Sequence, residues 1–274
     1  MPELPEVETI RKGLNKTVKG KRIKDIIIFL PKMVRRHSST QELVRRIRGK
    51  KIVTIKRRGK ALLFILDFTD VIIFRLGMTG QMLWSHPRAP LRRDKHTHVI
   101  IDFSKGERIL FKDIRQFGEV CVVKKEHVEE TLTMGAEPLH RDFTHETLKK
   151  ITSSPVKIKN LLMDQKRIAG IGNIYSDEIL FKAGIHPSKS GYLLRSRELK
   201  KLHQAIGSIL NEAIACKGDT ISQYRNVFGE SGNYQNFHRV YQRKGENCHK
   251  CSTPIKRIKL SGRSCHYCPS CQKS

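Results

Sequence analysis

Long apolar runs are absent from this sequence. The longest uninterrupted one is Ala61–Leu66, whereas a membrane-spanning helix needs roughly 20 consecutive apolar residues. The acidic start of the chain also lacks the basic segment and the apolar core of a secretory signal. These absences predict a cytoplasmic protein that neither crosses a membrane nor is exported.

Acidic residues are scarce as well. The 274 residues include 26 Asp and Glu against 54 Lys and Arg, a formal net charge of +28. With 38% hydrophobic residues the chain is otherwise ordinary for a globular protein, and it is long enough for two domains. An ordered basic protein most often meets a polyanion, and nucleic acid is the commonest one. The composition therefore favours a nucleic-acid-binding protein over one that is merely basic.

The first half of the chain is β-rich. Apolar Val7, Ile10 and Leu14 recur at helical spacing and predict a leading helix. Short β-branched segments separated by turn signals then predict strands over residues 23–30, 51–57, 61–67, 71–76, 98–103, 108–111 and 120–123, with a helix over residues 40–48. Many short strands at this spacing predict an antiparallel β-sandwich domain, or a barrel, over residues 1–134.

The second half is helical, so the fold class is α+β. After a Gly- and Pro-containing linker at residues 135–143, helices are predicted over residues 144–151, 156–164, 173–183 and 197–217. Two of them flank the turns at 165–172 in a helix–two-turn–helix arrangement, within a domain at 144–238. Residues 218–245 are polar and glycine-punctuated, which predicts a mobile loop or lid, with a disordered linker as the alternative. The lid itself would be residues 218–238.

Two Cys-x-x-Cys pairs, sixteen residues apart, end the chain in a module at residues 239–274. Two tight turns at this spacing bring four thiolates to a tetrahedral Zn²⁺, and the alternative of disulfides is disfavoured in the cytoplasm. Because four protein ligands close the coordination shell, we predict one structural Zn²⁺ on Cys248, Cys251, Cys268 and Cys271. A hairpin between the pairs would place Arg263 beside its tip and bury Cys265.

The first eight residues suggest a nucleophile. If Met1 is removed, Pro2 becomes a terminal secondary amine, and a free α-amino group titrates near pH 8, roughly 2 units below lysine. Such an amine attacks electrophilic carbon and forms Schiff bases. Carboxylates at Glu3 and Glu6 could handle protons beside it. The alternative is an ordinary acidic helix start that complements the helix dipole.

Several loop positions also suit nucleic acid. Asn173 follows a Gly-Ile-Gly run and opens a helix whose N–H groups suit phosphate, although a plain helix cap is the alternative. Lys60 ends a turn before an apolar strand, where it faces either a ligand or solvent. Met78, Arg115 and Phe117 stand beside glycines on loops, which suits a wedge inserted into a base stack. Core packing is the alternative for Met78 and Phe117.

Together these segments resemble the bacterial formamidopyrimidine-DNA glycosylases, which excise 8-oxoguanine and ring-opened purines from DNA. The resemblance covers the whole chain and rests on the order and spacing of its motifs. These are Pro2-Glu-Leu-Pro-Glu-Val-Glu8, Arg58-Gly-Lys60, Leu76-Gly-Met-Thr-Gly80, Arg115-Gln-Phe-Gly118, Leu162-Met-Asp164, Gly172-Asn-Ile-Tyr175 and Tyr267-Cys-Pro-Ser-Cys-Gln272.

The resemblance implies a bifunctional glycosylase and AP lyase that acts as a monomer on double-stranded DNA, in use on the bacterial nucleoid. Pro2 would attack C1′ of the damaged nucleotide, displace the base and leave a Schiff base. Glu3 would assist opening of the sugar, with Glu6 as its supporting partner. Lys60 would contact phosphate and donate a proton in β-elimination, and Arg263 would grip the lesion's phosphates and act in δ-elimination.

The resemblance also implies the DNA-binding residues. Met78, Arg115 and Phe117 would fill the gap left by the flipped base, and Arg115 would bond the orphaned cytosine. The positions that match backbone-contacting residues are His96, Lys159 and Asn173. The lid would close over the extruded base, yet it contains Lys217-Gly-Asp-Thr220 where the family has a Gly-Gly-Ser/Thr-Thr run. This departure bears on lesion preference.

Two other functions compete with this one. An endonuclease VIII-like glycosylase shares Pro2, Glu3, Lys60 and the zinc finger but prefers oxidised pyrimidines. A zinc-finger protein that binds damage without cutting it would keep the basic surface and the four cysteines, without needing the catalytic set. The complete wedge favours the oxidised-purine enzyme.

Overall fold

The computed structural model describes residues 1–37, 39–90, 93–221 and 223–273. The chain divides into two compact units. Unit 1 comprises Met1–Thr133 with Cys216–Asn233, and unit 2 comprises Met134–Ala215 with Tyr234–Ser274. Ser222 of the predicted lid and Ser274 of the predicted zinc module lie outside the described residues. The domain boundaries drawn from the sequence stay predictions. Among the described residues, no helix is long and apolar enough to cross a membrane.

Unit 1 combines one leading helix with two antiparallel sheets. Its helices are α1 (Leu4–Thr17), α2 (Thr40–Ile47) and α3 (Val128–Leu132). Its strands are β1 (Ile23–Ile28), β2 (Ile52–Arg58), β3 (Ala61–Leu66), β4 (Asp70–Arg75), β5 (Gln81–Ser85), β6 (Thr97–Phe103), β7 (Arg108–Lys112) and β8 (Glu119–Lys124). One sheet has the order β1-β6-β7-β5 and the other β2-β3-β4-β8.

One large hydrophobic cluster joins α1 and the two sheets of unit 1. The apolar stripe of α1 is fully buried at Val7, Ile10 and Leu14, as its spacing predicts. The inner faces of both sheets contribute Val99, Ile101, Phe111, Leu62, Phe64 and Phe74 to the same cluster. Two sheets that share one core form a sandwich. The predicted helix plus β-sandwich is therefore confirmed.

Two elements of unit 1 were not expected from the sequence. Only Met82 is buried in β5, so this strand lacks the alternation by which a half-buried strand is recognised. The five residues of α3 are too few to establish a helical period. The predicted strands are otherwise present, with ends displaced by one or two residues.

Unit 2 is helical and ends in a hairpin. Its helices are α4 (His145–Thr152), α5 (Ile158–Met163), α6 (Asn173–Ala183) and α7 (Ser196–Ala215), and its strands are β9 (Lys256–Leu260) and β10 (Arg263–Tyr267). The turns between α5 and α6 complete the predicted helix–two-turn–helix arrangement. The turn between the two strands has positive φ at Ser261 and Gly262, which confirms the predicted tip beside Arg263.

Candidate active site and DNA-binding residues

The N-terminus of unit 1 places Pro2 next to two buried carboxylates. Met1 is exposed, whereas Pro2, Glu3 and Glu6 are buried. Helix α1 begins directly after Glu3, whose backbone N–H donates to Glu6 Oε2 at 2.7 Å. A helix leaves its first N–H groups without intrahelical partners, and a carboxylate in the first turn satisfies one of them. Glu6 thereby fixes the backbone that follows Pro2.

The second oxygen of Glu6 binds the predicted lid. Glu6 Oε1 accepts the backbone N–H of Asp219 at 2.8 Å. Gly218 has φ +86°, and a Cβ there would lie 2.9 Å from the same oxygen, so this close approach requires glycine. The Tyr224 hydroxyl donates to Lys217 O at 3.1 Å. Burial raises the pKa of Tyr224, and the nearby charge of Glu6 raises it further, so the phenol is a neutral donor.

Of the predicted lid, residues 218–238, the described part up to Asn233 belongs to unit 1, whereas residues 234–238 belong to unit 2. Val227 belongs to the hydrophobic cluster of unit 1, and Val227 O accepts the N–H of Trp84 at 2.8 Å. The ring of Phe228 lies edge-on to that of Trp84 at 6.2 Å. These contacts contradict the alternative of a disordered linker for this segment, because its backbone and apolar side chains have fixed partners.

Lys60 lies in the turn between β2 and β3. Gly59 supplies the positive φ of this turn, and Gly59 O accepts from Arg57 at 3.0 Å. Arg57 also donates to Glu8 of α1 at 3.2 Å. Burial would raise the pKa of Glu8, but the guanidinium groups of Arg11 and Arg57 outweigh burial and hold it below the usual value. A charged Glu8 thus ties the Lys60 turn to the helix that follows Pro2.

Two loops bring Met78, Arg115 and Phe117 together. A Cβ on Gly77 would lie 2.7 Å from the carbonyl carbon of Phe117, so the loops are in direct contact. Met78 is 40% and Phe117 59% exposed, which overturns the alternative that these two side chains pack in the core. The guanidinium of Arg115 lies over the ring of Phe117, 4.8 Å from its centroid.

Asp113, which the sequence did not reveal, organises this pair of loops. Its fully buried carboxylate accepts from the Thr79 hydroxyl. It also accepts the N–H of Gly118 at 2.7 Å, and Thr79 Oγ1 accepts the N–H of Arg115 at 3.0 Å. A buried carboxylate is stable when such donors surround it. An aspartate directly after a strand was the only sequence signal.

His96 lies in the turn before β6. Asp94 accepts the backbone N–H of His96 at 3.0 Å and the ammonium of Lys112 at 2.6 Å. The half-buried His96 also has its carbonyl bound to Asp113 N at 2.9 Å. The backbone of this turn is therefore fixed on both sides of His96.

In unit 2, Asn173 is the first residue of α6 and not its cap. The cap position is Gly172, without a side-chain hydrogen bond. The buried Oδ1 of Asn173 has no hydrogen-bond partner among the described residues, so the plain-cap alternative is wrong. Gln165 holds the preceding turns, because its amide donates to Ile171 O at 2.7 Å and accepts from Gly170 N at 2.9 Å.

Lys159 occupies a different environment from the one expected of a phosphate ligand. It is 1% exposed, and its ammonium donates to Asp177 Oδ1 at 2.6 Å and to Ser264 O at 3.0 Å. Burial and two occupied donor directions argue against direct contact with DNA. Arg263, by contrast, is exposed at the start of β10.

The four predicted zinc ligands form one cluster. Their Sγ atoms all lie within 4.8 Å of one another. Closest pairs include Cys251–Cys268 at 3.4 Å and Cys248–Cys271 at 3.9 Å. A tetrahedral Zn²⁺ with Zn–S of about 2.3 Å holds its sulfurs about 3.8 Å apart, so the donor set fits. The buried Cys265 is outside this cluster, and burial raises its pKa to about 12, consistent with a packing thiol.

Comparison with protein families gives three matches along the chain. Residues 1–120 match the formamidopyrimidine-DNA glycosylase N-terminal domain. Residues 134–225 match the H2TH domain of the same enzymes, and residues 245–273 match a zinc finger found in FPG and IleRS. The three matches follow the order of the sandwich, the helical segment and the cysteine cluster.

Individual proteins match over the full length. The chain is 39% identical to the formamidopyrimidine-DNA glycosylase of Geobacillus kaustophilus and 42% identical to that of Carboxydothermus hydrogenoformans, covering 100% of both chains in each case. Among solved structures, a Lactococcus lactis FPG variant bound to Fapy-dG-containing DNA has a TM-score of 0.91 at 36% identity, with 100% of each chain covered. MutM bound to DNA containing carbocyclic 8-oxo-G has a TM-score of 0.90, with the same identity and coverage.

Proposed function

The chain belongs to the formamidopyrimidine-DNA glycosylase family, and from this membership we propose that Pro2, freed by removal of Met1, is the nucleophile of its reaction. The protein is a DNA glycosylase with AP lyase activity that removes oxidised purines during base-excision repair. The observation that supports Pro2 is the pair of buried carboxylates, Glu3 and Glu6, at the start of α1. We also propose that the enzyme works as a monomer in the cytoplasm, on the nucleoid.

In the proposed first step, the lone pair of the Pro2 nitrogen attacks C1′ of the damaged nucleotide. The bond from C1′ to the base breaks, and the base leaves with its electron pair and takes up a proton. Glu3 assists opening of the sugar ring by handling the proton on its ring oxygen, which leaves an iminium, the Schiff base of a secondary amine. Glu6 holds the backbone N–H of Glu3 at 2.7 Å and so positions both groups.

Two cations would serve the strand-cleaving steps. Loss of a C2′ proton expels the 3′ phosphate in β-elimination, and a second elimination expels the 5′ phosphate. We propose that Lys60 acts in the first and Arg263 in the second, as donors to phosphate oxygens. The Arg57–Glu8 contact supports this assignment for Lys60, because it links the Lys60 turn to α1. Water then releases the enzyme from the sugar remnant.

The base must leave the stack before Pro2 can reach C1′. Flipping requires a few kcal/mol of unstacking, which an inserted wedge and phosphate contacts offset. We propose Met78, Arg115 and Phe117 as this wedge, supported by the exposure of the two apolar side chains. His96 and Asn173 are proposed as contacts to the DNA backbone. The bound Zn²⁺ would supply a rigid fold for the β9–β10 hairpin, through the four cysteines.

Base release from defined duplexes tests this function. We expect excision and strand cleavage on a duplex with 8-oxoguanine opposite cytosine, and much slower reaction with an oxidised pyrimidine. Pro2→Gly should abolish base release, while the exposed substitution Lys182→Gln should not. A preference for the pyrimidine lesion would support the endonuclease VIII-like alternative. Tight binding of damaged DNA without release of any base would contradict an enzymatic role.

A further inference from the structure

The ammonium of Lys159 and the carboxylate of Asp177 form a fully buried ion pair in unit 2. The side chains are 1% and 0% exposed, and their closest atoms are 2.6 Å apart. Burying two charges is unfavourable unless the geometry is good and further hydrogen bonds satisfy the remaining donors and acceptors. The further hydrogen-bond partners of Lys159 and Asp177 therefore indicate the function of the pair.

Those partners lie on one strand, β10. Lys159 Nζ donates to Ser264 O at 3.0 Å. The other oxygen of Asp177 accepts the backbone N–H of His266 at 2.8 Å, with the His266 ring Nδ1 at 3.3 Å. The pair thus holds β10 at the first and third residues after Arg263. The buried thiol of Cys265, between these two residues, also lies against both charges.

Two neighbouring contacts hold the tip itself. Asn160 of α5 donates to the Ser261 hydroxyl at 2.8 Å. Met163, at the end of the same helix, has its sulfur 3.9 Å from a guanidinium nitrogen of Arg263. Helices α5 and α6 therefore both support the hairpin at the end that carries Arg263.

The metal cluster holds the opposite end of the hairpin. Cys268 follows Tyr267 directly, so the cluster fixes β10 where the strand ends. At about 3.3 Å per residue, Arg263 is roughly 13 Å along the strand from Tyr267. An isolated two-stranded hairpin is only marginally stable. Zinc alone would leave the tip poorly fixed, whereas the buried pair holds the strand within one residue of Arg263.

We propose that Lys159 and Asp177 are positioning residues for Arg263, holding its strand in register with α5 and α6. The proposal rests on the role assigned above to Arg263 in δ-elimination. A displacement of about 1 Å in a reacting group can slow its step roughly 100-fold. Loss of the pair should therefore slow δ-elimination selectively. Schiff-base formation and β-elimination depend on Pro2 and Lys60, so they should continue.

The test measures three products on a duplex with an abasic site, the adduct in a parallel reaction because borohydride reduces the Schiff base and stops the eliminations. These are the borohydride-trapped adduct, the β-elimination end and the δ-elimination end. Lys159→Gln is compared with Lys182→Gln, which removes the same charge from an exposed lysine on α6. Because a lone buried charge can unfold the protein, the double variant Lys159→Gln/Asp177→Asn is included, with zinc content and thermal melting as checks of the fold.

We expect the ratio of δ to β product to fall at least about tenfold in the Lys159 variants. The yield of trapped adduct should stay within about twofold of wild type, and Lys182→Gln should leave the product ratio unchanged. Arg263→Gln should lower the ratio similarly. Adding Lys159→Gln to Arg263→Gln should lower the ratio no further, because both substitutions act through the guanidinium of Arg263.

An unchanged ratio in a folded, zinc-loaded Lys159 variant would overturn the positioning role. An additive loss in the combination with Arg263→Gln would overturn it too. If Arg263→Gln itself left the ratio unchanged, or wild type gave no adduct, the proposed function would fail instead. The two failures are therefore distinguishable.

Discussion

Glu6 Oε1 accepts the backbone N–H of Asp219 at 2.8 Å, while Glu6 Oε2 accepts that of Glu3 at 2.7 Å. One buried carboxylate thus joins the residue that follows Pro2 to a segment more than two hundred positions later in the chain. The side chain of Asp219 accepts the N–H of Ile221, two residues later, at 3.0 Å.

Replacing Glu6 by glutamine should weaken its hydrogen bonds to the backbone of Glu3 and Asp219. An amide keeps one acceptor oxygen, so one of the two backbone N–H groups would face an NH₂ group instead. A buried donor without an acceptor costs about 1–3 kcal/mol. We expect Glu6→Gln to lower the free energy of unfolding by that amount and to slow base release. Urea unfolding and single-turnover excision measure the two effects. The exposed substitution Glu126→Gln serves as control, and a Glu6 variant that matches this control would contradict the account.

Gly218→Ala should destabilise the protein by more than the cost of placing alanine in a left-handed backbone conformation. Gly218 and Gly20 have similar φ values of +86° and +81°, but a Cβ meets Glu6 only at Gly218, since nothing lies within 4 Å of it at Gly20. The left-handed conformation costs either alanine roughly 1–2 kcal/mol. Thermal melting of the two variants therefore isolates the contacts of the added Cβ with Glu6 and with the Tyr224 ring, 3.2 Å away. Equal losses of stability would show that these contacts contribute nothing.

Asp94→Asn should lower the free energy of unfolding by an amount that depends on pH. Burial raises the pKa of Asp94, but Lys112, the Thr97 hydroxyl and the His96 N–H hold it at about 2, against an ordinary 3.8. A carboxyl whose pKa is lowered by folding stabilises the protein above its unfolded pKa, and this contribution is lost as the pH falls through the folded value. The difference in unfolding free energy between wild type and variant should therefore decline below pH 3.8 and vanish near pH 2.

The size of that difference should be small, because the Asp94 side chain is 47% exposed and solvent screens its ion pair. We expect less than about 1 kcal/mol at neutral pH. Urea titrations of both proteins at a series of pH values measure it. A difference that stays constant from neutral pH down to about 2 would contradict the assigned pKa.

Chelation of zinc should destabilise unit 2. Cys248 and Cys268 pack with Phe181, Val240 and Ile255 in one apolar cluster, so loss of the metal exposes that cluster as well as the thiols. Structural zinc commonly supplies much of the folding free energy of such modules. A chelator, or Cys248→Ser, should lower the melting temperature and weaken DNA binding. Cys216→Ser removes a thiol outside the cluster and should do neither. Unaltered melting after confirmed loss of zinc would contradict a structural metal.

Local patterns in the sequence predicted most elements of the fold. Helix α1 was predictable from its apolar stripe and helix α6 from the glycines on either side of it. Both signals are local, because hydrophobic spacing and helix termination depend on neighbouring residues. The four cysteines predicted their own cluster for the same reason. Strand β5 was not predicted, because its burial depends on contacts from distant segments, such as the backbone hydrogen bond from Trp84 to Val227.

The arrangement of the candidate site residues could not be predicted from the sequence. The motifs selected Lys159 as a DNA contact, yet pairing with Asp177 buries it, and that pairing joins two helices and a strand. The sequence did contain a signal that was overlooked. Asp177 and Glu178 stand directly before the apolar run Ile179–Phe181 of α6, and acids on the buried face of a helix require specific partners. Exposure of Met78 and Phe117 likewise follows from loop contacts that local spacing does not reveal.

The most direct test of the central claim is to locate the covalent bond. The protein is incubated with a duplex bearing 8-oxoguanine opposite cytosine, reduced with borohydride and digested, and the modified peptide is sequenced by mass spectrometry. The account predicts an N-terminal peptide that lacks Met1 and carries the sugar on the nitrogen of Pro2. Attachment to a lysine such as Lys60, or a reacting protein that retains Met1, would contradict it.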